Sequence, residues 1–253
     1  MIAPILEAAS DFTRGLPDAT MHAYLEVPLA GGVPDVVLVA FNEDAIRRRL
    51  AAGLGPIISL AEIRALDALA HGVTDLGDIA TYTGLSRAYL RRTVVPKLAA
   101  GRWVEPLESR ETGVEVRFVH EPLTQWVVTV EAKRCAWAAA VAQARRHLIA
   151  ADRAFVALDA RRAGRAIATA PALARHGVGV ATVATAGESA GRGSVGTVGV
   201  VSYPDDRRPG LPANARLPRL ANCRLVAERV WDLRLRGVRS GPTYPVFGRD
   251  LSA

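Results

Sequence analysis

The sequence predicts an α/β protein: a sheet core flanked by helices and interrupted by an inserted helical module that closes with a hairpin. Three observations carry this. Apolar, β-branched runs at 33–41, 126–130, 153–158 and 177–183 read as buried strands, with helical stretches between the later ones. The texture changes from residue 43 to about 120, where short capped helices replace strands. Half of the residues are hydrophobic, yet no uninterrupted apolar run approaches the roughly 18 residues that span a bilayer. A folded core is therefore expected, and a membrane partner is not.

In chain order, residues 4–14 read as a helix ending at Gly15 and Pro17. Strands at 22–28 and 33–41 follow, joined by Leu29-Ala30-Gly31-Gly32, a link that suits a hairpin. Asp35 heads the second strand. In the module, Ser59 caps a helix over 60–69, with Glu62 completing a capping box. Thr74 is expected to open the next helix; Gly84 makes a turn, and a further helix runs over 85–100. Strands at 101–106 and 114–119, joined through 111–113, make a two-stranded wing. After the strand at 126–133 comes a long helix over 136–151, with Trp137, Val141, Ala144 and Leu148 on one face. A strand at 153–158, a helix at 161–175 and a strand at 177–183 complete the pattern. Beyond Thr185 the chain turns Gly-, Pro- and Arg-rich, with ten arginines against five carboxylates over 205–253. It reads as a weakly structured arm or a small add-on.

The net charge of +7, almost wholly arginine, permits a polyanionic partner without requiring one. Two cysteines, Cys135 and Cys223, are too few for a disulfide framework. The first residues lack the basic start and apolar stretch of a signal peptide, so a reduced, cytoplasmic setting is expected. No repeat at solenoid periods is present.

The chemistry concentrates at Glu131 and Lys133. Side chains two apart on a strand share a face, about 6.5 Å from each other, so a carboxylate and an ammonium meet at the end of a buried run, where charge is costly without a partner or a task. The chain has only two lysines, Lys97 and Lys133, against thirty arginines. A compact point charge is kept where arginine would offer a fork.

Val33-Pro34-Asp35 followed by Glu131-Ala132-Lys133 on a later core strand resembles the PD-(D/E)xK nuclease superfamily. The resemblance spans 1–42 and 125–185 and implies a restriction-endonuclease-like mixed sheet flanked by helices. Gln143, ten residues past the lysine, matches a glutamine carried by one branch of these nucleases; His147 stands where that branch often has tyrosine, a departure. The resemblance implies that Asp35, Glu131 and the Ala132 carbonyl hold Mg²⁺ or Mn²⁺, that Lys133 orients water or stabilises the transition state, that Gln143 belongs to the catalytic set, and that Glu26 is an outer metal contact. The plain alternatives are an ordinary strand-end ion pair at Glu131 and Lys133 and a turn role for Asp35.

The stretch 78–92, a helix, a glycine turn and a helix opening at Ser86, resembles a winged helix-turn-helix. That arrangement places Ser86, Arg87, Tyr89, Arg91 and Arg92 against DNA, with Arg110 on the wing. A winged helix that docks on protein is the alternative. The division expected is a discontinuous nuclease-like core (1–42 and 125–185), an inserted winged helix-turn-helix (43–124) near the metal site, and a basic extension (186–253). The function implied is a metal-dependent DNA endonuclease or exonuclease acting on duplex in preference to single strands, dimeric if both strands are cut. A non-catalytic DNA-binding transcriptional regulator on a nuclease-like scaffold and a structure-specific or RNA-directed nuclease are the rivals.

Overall fold

The computed structural model describes residues 1–106, 114–184, 196–205 and 213–240. Helices α1 (Ile2–Glu7) and α2 (Ala9–Phe12) lead into strands β1 (Met21–Leu25) and β2 (Val36–Phe41). The module carries α3 (Glu43–Ala51), α4 (Leu60–Ala70), α5 (Leu76–Thr83), α6 (Arg87–Tyr89), α7 (Val95–Ala100), β3 (Val104–Pro106) and β4 (Val114–Val116). Then come β5 (Thr124–Lys133), α8 (Trp137–His147), β6 (Arg153–Asp159), α9 (Gly164–Arg175), β7 (Val178–Ala184), β8 (Thr197–Ser202) and α10 (Ala213–Leu235).

Six strands form one mixed sheet in the order β1-β2-β5-β6-β7-β8. β1, β2 and β5 run antiparallel in turn, β5 is parallel to β6 and β6 to β7, and β8 closes the edge antiparallel. Both faces are covered, which is why every residue of β2 is buried and its sequence reads as a continuous apolar run. On one face Ile5 and Phe12 of α1 and α2 pack on Val36, Leu38, Val128, Val130 and Phe155. On the other, α8 and α9 cover β6 and β7 while α3 and α10 cover β2 and β5. Thr129, Glu131 and Lys133 share this second face by strand alternation.

The inserted module has its own core around Ile63, Leu66, Ile79, Leu90, Leu98 and Trp103. The Ser59 hydroxyl accepts from the Glu62 N–H at the head of α4, as expected. The next helix starts one residue later than expected: the Asp75 carboxylate, rather than Thr74, accepts from Gly77 and Asp78. Gly84 ends α5 at φ +70°, a conformation glycine adopts without a Cβ penalty. Between α6 and α7 the helix widens into a π turn over Leu90–Val94. Pro96 accounts for it, because its ring crowds the carbonyl four residues back and it has no N–H to donate. β3 and β4 pair antiparallel; the residues between them, Arg110 included, lie outside the described set.

Two expectations are corrected. The segment beyond Thr185, expected as a weakly structured arm or a small add-on, contributes through its described residues the edge strand β8 of the main sheet and the helix α10, whose Trp231 is fully buried. α10 packs on both bodies, Ala221 and Leu225 in the module core and Val226, Val230 and Trp231 against the sheet. Nor is the module rooted beside the carboxylates. It leaves the sheet after Phe41 and rejoins at Thr124, a registered pair of β2 and β5, whereas Asp35 and Glu131 lie at the opposite ends of those strands. At about 3.3 Å per residue, six residues of β2 separate the root from Asp35 by roughly 20 Å.

Candidate active site at the carboxyl end of strand β5

The register brings the two motif halves together. Val36 pairs with Val130 at the last rung of β2 and β5, so Asp35 and Glu131 are the next residues on either side. The Ala132 N–H donates to Asp35 Oδ2 at 2.6 Å, fixing that carboxylate across the end of β5. Lys133 Nζ lies 2.7 Å from Glu131 Oε1, the pair that strand alternation predicts.

The environments of the two partners differ. Glu131 is 1% exposed, whereas the Lys133 side chain is 35% exposed. One carboxylate oxygen, Glu131 Oε2, is buried and has no hydrogen-bond partner among the described residues. Burial pushes the Glu131 carboxyl above its usual range and the Asp35 charge adds to this, while Lys133 and Arg146 oppose it. The hydrogen bond to Glu131 raises Lys133 further above its ordinary value, so the ammonium is charged at neutral pH. A buried oxygen lacking a partner is the kind of group that a cation satisfies.

Helix α8 supplies the wall of the site. Gln143 is half-buried one turn before His147, on the same helical stripe. Among the described residues its side chain makes no hydrogen bond. His147, which stands where the resemblance leads one to expect tyrosine, is buried, and its Nδ1 has no hydrogen-bond partner among the described residues. Burial depresses it to about 4, with Arg146 adding to the effect and Asp35 opposing it. Its imidazole is therefore neutral at neutral pH, within the electrostatic reach of both Asp35 and Lys133. Arg146 is a residue that sequence reasoning missed; its only signal was position, three residues after Gln143.

The hairpin that precedes Asp35 is seated on the end of α8. Leu29 and Gly32 exchange backbone hydrogen bonds at 2.8 and 3.2 Å. A Cβ on Gly31 would stand 2.1 Å from the Arg146 carbonyl oxygen, so only glycine allows the turn this close to the helix. Glu26, just past β1, holds φ +52° and its N–H donates to the Asp35 carbonyl at 3.4 Å. Its side chain is exposed. Asp35 is thus positioned by the β1–β2 turn, β5 and α8 together.

The donor atoms at Asp35 and Glu131 are of the hard oxygen type. Asp35 and Glu131 offer carboxylate oxygens, one of them buried and without a hydrogen-bond partner among the described residues, and oxygen donors are what Mg²⁺ and Mn²⁺ prefer. Among the described residues, no group of three or more His, Cys, Asp and Glu side chains gathers where a metal ion could be held. The remaining ligands would be backbone, water or substrate oxygens.

The second candidate surface is on the module. Ser86, Arg87, Tyr89, Arg91 and Arg92 are all exposed, while Leu90 and Val94 anchor the same turns in the module core. The Ser86 hydroxyl is engaged as a cap, accepting from the Tyr89 N–H at 3.2 Å.

No family model, curated protein or solved structure matches the chain.

Proposed function

We propose that the chain is a metal-dependent nuclease of the PD-(D/E)xK type that hydrolyses phosphodiester bonds in DNA and docks on duplex through its inserted module, a winged helix-turn-helix. The single observation that carries this reading is Glu131: a buried carboxylate with one oxygen clamped by Lys133, the other without a hydrogen-bond partner among the described residues, and Asp35 at the head of the neighbouring strand. The order β1-β2-β5-α8-β6, with two antiparallel pairs and then a parallel one, also agrees with the resemblance at the motif.

Asp35, Glu131 and the Ala132 carbonyl would hold Mg²⁺ or Mn²⁺. The ion supplies Lewis acidity at a phosphoryl oxygen and lowers the pKa of water. Lys133, kept protonated by Glu131, places a fixed positive charge where negative charge grows on phosphorus. The Ala132 N–H holds Asp35 in one orientation, and neutral His147 walls the site without adding a competing charge. Gln143 lines the same wall. Glu26, exposed just past β1, would be an outer contact to the ion through water. Arg87, Arg91 and Arg92 grip phosphates and Tyr89 meets the groove.

The donor count favours a second reading, a DNA-binding regulator on a nuclease-like scaffold. With fewer than three metal-ligating side chains together among the described residues, a site short of ligands would bind no ion. Incubation of the full chain with supercoiled, linear and single-stranded DNA in Mg²⁺ or Mn²⁺, beside Lys133→Ala, separates the two. Cleavage by the wild type and none by the variant supports the nuclease. Tight duplex binding by both with no cleavage supports the regulator.

A further inference from the structure

We infer that α10 locks the inserted module at one position relative to the carboxylates, so that the protein cuts DNA at a single offset outside the segment its module covers. The inference rests on the nuclease reading and deepens it.

The lock is one carboxylate. Glu228 on α10 is fully buried and receives groups from both chains that connect the module to the sheet. On the entering side, Arg49 of α3 pairs with Glu228 Oε1 and the Ile57 N–H donates to Oε2 at 2.9 Å. On the returning side, His120 Nε2 lies 2.7 Å from Oε1. The Arg49 guanidinium is sandwiched 4.5 Å from the Trp103 ring of the module and 4.5 Å from the Trp231 ring of α10, and it donates to the Gly55 carbonyl at 2.6 Å. One turn along α10, Arg224 pairs with Asp67 of α4 at 2.8 Å and approaches His120 Nδ1 at 3.3 Å. A hinge at either connection would strip partners from buried charges, which is costly. Both connections are therefore held.

The other side of α10 is held to the sheet. Arg219 donates to the Leu148 and Ala151 carbonyls and pairs with Asp152, whose carboxylate accepts from the Val127 N–H. Arg234 pairs with Glu43 at 2.7 Å and stacks on Phe41. Val127 and Phe41 belong to the end of β5 and β2 remote from Glu131 and Asp35. α10 is thus a crossbar between that remote end and the module. The root of the module lies roughly 20 Å along the strands from the carboxylates.

The test uses the full chain and a duplex selected from a random-sequence pool for binding to the module. The protected segment is footprinted without metal ion, and cuts are mapped on both strands with Mg²⁺ or Mn²⁺. One offset, beyond the edge of the footprint, is expected; cuts inside the footprint or scattered at many distances overturn the inference. Glu228→Ala is expected to turn the single cut into a ladder while duplex affinity holds. Glu228→Gln, which keeps the shape and loses the charge, reads the same change if the alanine variant does not fold. A second arm needs no cleavage. In a Cys223→Ser, Thr81→Cys chain, nitroxides at Cys135 and at the introduced position 81 report the separation of site and module. A narrow distance distribution supports the lock and a broad one overturns it. Absence of cleavage by the wild type would overturn the offset together with the nuclease reading, whereas a broad distribution with cleavage would overturn the lock alone.

Discussion

Replacing Glu131 by glutamine separates a carboxylate kept for chemistry from one kept for structure. The substitution removes the ion pair with Lys133, but that side chain is 35% exposed and recovers water, so the loss is about 0–1 kcal/mol. It also removes a buried carboxylate whose lost hydration opposes folding, a gain of the opposite sign. The sum lies within about 1 kcal/mol of zero, or about 2–4 °C in Tm for a chain of this size. The pH dependence has a definite sign. Burial raises Glu131 in the folded protein, so its favourable contribution is full below the ordinary carboxylate range and is lost as pH rises through the raised value. Glu131→Gln removes that loss, so the variant should gain on the wild type between pH 4 and pH 8. Urea denaturation in EDTA at both pH values measures this, and cleavage with Mg²⁺ should fall by about 10³-fold. A stability loss of about 3–5 kcal/mol at pH 8, typical of breaking a structural buried pair, would refute the reasoning.

Other perturbations test neighbouring parts of the argument. Gly31→Ala drives a Cβ into the Arg146 carbonyl and should cost about 1–3 kcal/mol, with a larger fall in cleavage because the displaced turn carries Asp35; thermal unfolding beside an activity assay checks both. His147 is depressed to about 4 from an ordinary 6.5, so its contribution is present above about 6.5 and is lost as pH falls towards 4, up to about 3 kcal/mol. His147→Gln should flatten that acid limb of a denaturant series, and an unchanged limb would count against a buried neutral imidazole. Glu228→Ala leaves Arg49 buried without its carboxylate and should cost about 3–5 kcal/mol, read as a lowered urea midpoint. Replacing Arg91 and Arg92 together by alanine should weaken duplex binding and reduce its log–log salt slope by about two if both meet phosphates; an unchanged slope would point to a protein-docking surface.

Much of the sheet was legible because its strands are buried on both faces. Continuous apolar runs such as Val36–Phe41 leave no other economical conformation than a covered strand. The pairing of Glu131 with Lys133 was legible for the same local reason, since alternation alone puts them on one face. Helix starts depend on a single side chain reaching a single N–H, and there Thr74 and Asp75 were close enough in type to be confused.

What the sequence by itself determined, then, is the set of elements whose burial is one-sided or complete and the local geometry of the charges on them. Tertiary structure decided the rest. α10 carries apolar residues towards two different bodies, so no single stripe of 3.6-residue period marks it, and its arginines made it resemble a basic tail. Glu228 is one carboxylate among them, and nothing local distinguishes it before Arg49, Ile57 and His120 converge on it from positions over a hundred residues away. The placement of the module followed the same rule. Adjacency in sequence suggested a reader beside the carboxylates, but a strand is a rigid rod, and β2 and β5 carry the chain from the carboxylates to the opposite end of those strands before the module begins.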